Sequence, residues 1–189
     1  IQTATQHLRE KGKPVHVLDI ASGHGRYVLD ALAAEALPES VRLRDYSPIN
    51  VAAGQALIAE RGLQKVATFD EVNAYERANY QNLNPRPTLG IVSGLHELFP
   101  DNDLILQSLY GFGDAIEPGG YLIYTGQPWH PQLEMIARCL SSHREGQDWV
   151  MRRRSQQEMD QLVEKAGFEK VRQWIDGDGI FTVSLAVKK

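Results

Sequence analysis

Cysteine is almost absent: Cys139 is the only one in 189 residues. An internal disulfide is therefore excluded, and a reducing, cytoplasmic setting is the expectation. No apolar run approaches the ~20 residues that a membrane-spanning helix needs. Ile1-Gln2-Thr3-Ala4 lacks the basic-then-apolar pattern of a secretion signal. Basic charge is not in excess either. Twenty Lys and Arg face 24 Asp and Glu, a formal charge of −4, which argues against a nucleic-acid partner. The histidines at 7, 16, 24, 96, 130 and 143 never fall at the i, i+4 spacing of a helical metal site, so no metal is expected. An initiating Met is missing too. Residues 1–12 read as the tail of a helix stopped by Gly12 and Pro14, which predicts a single domain, 1–189, taken from a longer polypeptide.

What is present is the make-up of a globular chain, with 42% apolar and 23% charged residues. Apolar runs alternate with helical periods. Val15–Ile20 is a short, nearly continuous apolar run, as in a parallel strand buried on both faces. A helix follows over 23–37, then a strand over 41–45. Ser47 and Pro48 stand as N-cap and first helical residue of the next helix, and Gly62 closes it. Further strands are predicted at 65–69, 88–93 and 121–125. A polar loop over 70–87 has room for one helical turn, and a helix spans 102–116. Another helix runs from Pro131 to about Leu140, followed by an irregular basic stretch. Ser155-Gln156-Gln157-Glu158 has capping-box spacing and opens a helix that reaches Gly167. Strands at 168–175 and 180–187, joined by Asp176-Gly177-Asp178-Gly179, form an antiparallel hairpin. The pattern predicts one α/β domain with a mostly parallel sheet and one reversed strand.

The chemistry concentrates in Val17-Leu18-Asp19-Ile20-Ala21-Ser22-Gly23-His24-Gly25-Arg26. A buried strand ends in Asp, and a Gly-x-Gly turn opens a helix at the carboxyl edge of the sheet, where α/β folds bind ligands. Gly-x-Gly alone serves equally well as a plain strand-to-helix turn. A dinucleotide fingerprint requires a third glycine where Val28 stands, and Asp19 would repel a pyrophosphate. A sulfonium ligand with an amino group and no phosphate suits the charge better, and S-adenosylmethionine is that ligand. Asp45 ends the second strand and can accept from a ribose diol. Tyr46 beside it can lie along an adenine. Tyr27 either reaches the methionine end of the cofactor or packs in the core.

These segments resemble the class I S-adenosylmethionine-dependent methyltransferases over nearly the whole chain. Asp19-Ile20-Ala21-Ser22-Gly23-His24-Gly25 is similar to that family's first motif, with Ala21 in place of its first glycine. Asp45 matches the ribose-binding acid. Asn73-Ala74-Tyr75 occupies the place of an Asp-Ala-aromatic segment that contacts adenine, and Ala166-Gly167-Phe168 resembles the C-terminal signature. The resemblance implies a Rossmann-like, seven-stranded sheet in the order 3-2-1-4-5-7-6. Its cofactor residues would be Asp19, Ala21, Ser22, Gly23, Gly25, Asp45, Tyr46, Asn73, Ala74 and Ser93. Val92 to Pro100 and Tyr124 to Pro131 further resemble a bacterial methyltransferase family whose members are often fused behind an α/β-hydrolase-type domain.

The loops after the fourth and fifth strands would face the methyl group. His96 and Glu97 are the candidate base or acceptor contacts; the alternative is that they start a helix and bond locally. Trp129 is either a packed lid element or a stacking surface, and His130 suits either purpose. Arg152, Arg153 and Arg154 form a solvated charged face or bind an anionic group of a small-molecule or lipid-like acceptor. A nicotinamide-dependent oxidoreductase and a cofactor-binding module without activity are the alternative functions.

Overall fold

The computed structural model describes residues 1–33, 37–141, 146 and 148–189. In chain order its elements are α1 (Gln2–Glu10), β1 (His16–Ile20), α2 (Arg26–Ala33), β2 (Ser40–Asp45), α3 (Pro48–Glu60), β3 (Ala67–Glu71), β4 (Leu89–Val92), α4 (Asn102–Ala115), β5 (Tyr121–Gly126), α5 (Leu133–Cys139), α6 (Gln156–Lys165), β6 (Phe168–Ile175) and β7 (Thr182–Lys188). Single 3₁₀ turns lie at Arg77–Tyr80 and His96–Leu98. The strands form one sheet ordered β3-β2-β1-β4-β5-β7-β6. β1 pairs in parallel with β2 and β4, β2 with β3, and β4 with β5; β7 runs antiparallel to both β5 and β6. This is the order the resemblance implies.

Alternation along β1 divides the core. Val17 joins Val28, Leu29 and Leu43 on the side of α1, α2 and α3, whereas Leu18 and Ile20 join Ile105, Phe112 and Leu162 on the side of α4 and α6. The helix after β1 and the helix after β4 thus lie on opposite faces. Between those two adjacent strands a crevice opens at their carboxyl ends, the switch point at which open α/β sheets bind ligands.

The local signals hold at most ends. Ser47 Oγ accepts from Asn50 N–H, Pro48 begins α3, and Gly62 follows its end at φ 67. Ser155 Oγ accepts from Glu158 N–H at 3.1 Å, as the capping box predicts. The Glu158 carboxylate, however, turns to Asn102 and Arg152 rather than back to its own helix.

Three boundaries shift for physical reasons. α2 begins at Arg26, because Gly23 and Gly25 take left-handed φ of 56 and 70; its expected end falls partly at 34–36, outside the described residues. β3 starts two residues late, since Val66 and Ala67 N–H are held by the Leu63 carbonyl. β7 starts at Thr182 because the Asp176 carboxylate captures the Ile180 and Phe181 N–H groups at 2.7 and 3.0 Å, removing them from the ladder. In the 70–87 loop the expected turn is the one at Arg77–Tyr80, with the Tyr80 ring buried and its hydroxyl donating to Ala74 O at 2.7 Å. Among the described residues no helix is long and apolar enough to cross a membrane.

Candidate active site

The sheet delivers the predicted residues to one edge. Asp19, Asp45, Asn73 and Ser93 lie at or just beyond the carboxyl ends of β1 to β4, and Gln127, not singled out by the sequence, follows β5 at the same edge. On β1, Asp19 shares the face of Val17 and so points toward α2. There the Tyr27 hydroxyl donates to Asp19 Oδ1 at 2.6 Å. Asp19 Oδ2 is buried and has no hydrogen-bond partner among the described residues. Burial raises the Asp19 carboxyl to about 7, hydrogen bonds from Tyr27 and Ser22 oppose that rise, and the nearby charge of Asp45 adds to it.

The turn itself is tight. Gly25 is required twice over: its φ is 70, and a Cβ there would come 2.4 Å from Leu43 Cδ1. Ala21, at the family's first glycine, adopts φ 52, a conformation an L-residue holds only with strain. Ser22 stitches the turn to β2. Its N–H donates to Arg44 O at 3.0 Å, and its hydroxyl accepts from Arg44 N–H at 3.2 Å.

Asp45 is cradled by backbone. Oδ2 accepts from Gly23 N–H at 2.9 Å, and Oδ1 accepts from Ser47 N–H at 2.9 Å and Asn50 Nδ2 at 3.0 Å. A carboxylate offers about four acceptor positions, so roughly one remains, where the sequence suggested two for a ribose diol. Tyr46 is 75% exposed beside it. Asn73 turns its amide oxygen onto Tyr75 N–H at 3.0 Å, which leaves that oxygen one further lone pair. Ala74 packs at the edge of the core. Val28, where a dinucleotide fold needs glycine, is fully buried against the sheet.

On the β4–β5 side the structure gives His96 and Glu97 different partners. His96 is 2% exposed, with Nε2 2.9 Å from Ser108 Oγ. Ser108 gives its one proton to Ile105 O, so His96 Nε2 must be the donor in that pair. Burial, with Arg154 nearby, lowers the ring to about 3. With its Nε2 proton committed to α4 the imidazole is a weak base, and His96 lines the same cleft as Glu97. Glu97 behaves differently. Its Oε1 accepts from Thr125 Oγ1 at 3.1 Å, Thr125 in turn accepts from Gly94 N–H at 2.8 Å, and Oε2 is buried without a partner among the described residues. Burial raises its pKa above the usual carboxylate range.

The three arginines also part company. Arg154 is buried and clamps the loop before α4, donating to His96 O at 2.7 Å, Phe99 O at 2.8 Å and Asn102 Oδ1 at 2.7 Å. Arg152 holds Pro100 O and the Glu158 carboxylate. Arg153 bonds the Gln127 side chain, with Nε unpartnered among the described residues, whereas Arg152 and Arg154 line the cleft beside Glu97. Trp129 is 56% exposed, and His130 Nδ1 accepts from Gln132 N–H. Residues the sequence did not single out include Thr125 and Gln156, both in the wall of this cleft. Among the described residues no group of His, Cys, Asp and Glu converges to hold a metal ion.

The strand order, the antiparallel terminal hairpin and the glycine turn over a carboxylate define the Rossmann-like fold of class I methyltransferases. The chain belongs to the family described as "Putative methyltransferase", which it matches over residues 1–188. It is 58% identical over 189 residues to the Escherichia coli K12 protein YnbC, covering all of this chain and 32% of that one. The chain therefore spans about a third of the length of that relative. Solved structures agree on the fold. A Methanosarcina mazei S-adenosylmethionine-dependent methyltransferase aligns at TM-score 0.71 and 20% identity, over 100% of this chain and 97% of its own. Magnesium protoporphyrin IX methyltransferase from Synechocystis, with S-adenosylhomocysteine bound, aligns at TM-score 0.71 and 16% identity, over 100% and 82%. A Bordetella parapertussis protein described as exported aligns at 0.76 and 22%, over 99% and 65%.

Proposed function

We propose that the chain binds S-adenosylmethionine in the crevice between β1 and β4 and transfers its methyl group to a small-molecule or lipid-like acceptor. The observation that carries this reading is Asp19 Oδ2, a buried carboxylate oxygen without a partner beside the glycine turn. Such an atom is costly unless a ligand supplies a donor or a positive charge. With Asp45 close by, the crevice favours a cation and disfavours a pyrophosphate, which weighs against a nicotinamide cofactor. When bound, the cofactor supplies a methyl group activated by its sulfonium.

The protein's share is positioning. Asp19 receives the amino group, and Ala21, Ser22, Gly23 and Gly25 offer backbone without bulk. Asp45 gives its remaining acceptor position to the ribose. Tyr46, Asn73 and Ala74 border the adenine, and Ser93 lies toward the methyl. Orientation of this kind contributes of order 7–11 kcal/mol in favourable cases. Glu97 is the proton acceptor where the acceptor atom carries a proton, its raised pKa lying nearer working pH than that of a free carboxylate. In proteins of YnbC's length, two thirds of the polypeptide lies outside the matched region, which leaves room for the hydrolase-type domain that the resemblance implies.

Calorimetric titration with S-adenosylmethionine, S-adenosylhomocysteine and NADH tests the reading. Binding of the first two, weakened in Asp19→Asn, supports it. Binding of NADH alone overturns it. Transfer of radiolabel from the cofactor to extract metabolites separates an enzyme from a module that only binds.

A further inference from the structure

A cleft beyond the cofactor residues is walled by His96, Glu97, Thr125, Gln127, Arg154 and Gln156. Inside, it narrows to room for about one water-sized group. Two of its wall residues carry buried acceptor oxygens that nothing satisfies among the described residues: Glu97 Oε2 and Gln156 Oε1. The orientation of Gln156 follows from its other contacts. Its Nε2 donates to Asp160 Oδ1 at 2.7 Å and to Ser184 Oγ at 3.3 Å, so the amide end that remains must be the acceptor. Glu97 is likewise anchored through Oε1 by Thr125.

Two fixed acceptors lining one narrow space call for a single group with two hydrogens to give. A hydroxyl has one. An ammonium has three and a positive charge, but Arg153 and Arg154 already place positive charge near Glu97. A neutral NH₂ group satisfies both oxygens and adds no charge.

We propose that this cleft recognises a neutral primary amine, held between Glu97 Oε2 and Gln156 Oε1, as the methyl acceptor. The inference rests on the methyltransferase reading for its chemistry. The nitrogen lone pair forms the new N–C bond as the S–C bond of the sulfonium breaks. One N–H proton passes to Glu97 Oε2, and S-adenosylhomocysteine and the N-methylamine leave.

The test uses matched probes, aniline with phenol and 2-aminobenzoate with 2-hydroxybenzoate. Their binding is measured by NMR titration to the chain, both alone and saturated with S-adenosylhomocysteine. The amine of each pair should bind about tenfold more tightly than the hydroxyl compound, and Gln156→Met should bring the ratio close to one. Retained S-adenosylhomocysteine affinity in that variant shows that it is folded; Glu97→Gln, read in the same way, should also lower the ratio. Equal affinity within the pairs, as when a water fills the space, overturns the inference, and so does a hydroxyl preference, binding by neither member, or an amine preference that survives both variants. Failure of S-adenosylhomocysteine to bind the wild-type chain sinks the methyltransferase reading instead, while the amine preference is still read without it.

Discussion

The two halves of the crevice are built in different ways. At the ends of β1 and β2 the site is made of contiguous residues and backbone: Gly23 and Ser47 N–H groups hold Asp45, and Ser22 ties the turn to Arg44. At the ends of β4 and β5 it is assembled from side chains far apart in sequence. Arg154 reaches His96 across 58 residues, and Thr125 reaches Glu97 across 28. A backbone site keeps its geometry whatever the neighbouring side chains are, which suits a constant ligand. A side-chain site can be rebuilt one residue at a time, which suits an acceptor that differs between relatives.

The contrast is broken most severely at Arg154. Replacing it with Ala strands the carbonyls of His96 and Phe99 and leaves Asn102 Oδ1 with Arg152 alone, at a cost of about 3–5 kcal/mol. That should lower the thermal midpoint by roughly 6–20 °C. S-adenosylhomocysteine affinity measured below the midpoint should be unchanged; its collapse would mean the halves are one cooperative site.

Asp45→Ala attacks the other half. Loss of the ribose contact and of the cradle should weaken S-adenosylhomocysteine by about 30–100-fold by calorimetry, some 2–3 kcal/mol. The spectra of residues around Glu97 should be unperturbed.

A smaller effect comes from pH. Asp19 in the free chain holds its proton up to about 7, and a cationic ligand favours the ionised form. S-adenosylmethionine affinity should therefore be level above that pH and fall by up to about tenfold per unit below it, a dependence absent in Asp19→Asn. The stability of the free chain should run the opposite way. The folded carboxyl is raised above its unfolded value, so its contribution is fully present near pH 4 and is lost as pH rises through about 7.

The mildest change sharpens the contrast instead. Ala21→Gly relieves a left-handed φ of 52 and should add about 0.5–1 kcal/mol, or roughly 1–4 °C, without altering acceptor selectivity.

The same division explains what could be read from the sequence. Ser47-Pro48, Gly62 and Ser155 act within a few residues of where they stand, so helix ends were legible from local chemistry. Asp19, Gly25 and Asp45 are tied to strand ends and a turn, so their convergence at one edge followed from the α/β pattern. The role of His96 did not follow, because it depends on Ser108 and on how α4 packs against the loop before it. Nor did Gln156 stand out: its meaning comes from Asp160 and Ser184, the latter 28 residues away on β7. The arginine run was visible as charge, but only tertiary contacts show that each member holds a different segment: Arg152 the Glu158 carboxylate, Arg153 Gln127 and Arg154 the loop before α4.

The three donors around Asp45 have a kinetic consequence. Both torsions of that side chain are already frozen, so a sugar arriving there selects no rotamer and loses no side-chain entropy on the protein side. Capture at this end should resemble a key entering a cut lock, and whatever rearrangement accompanies turnover belongs to the far wall, where Gln127 and Arg153 rest on each other rather than on the backbone of the turn.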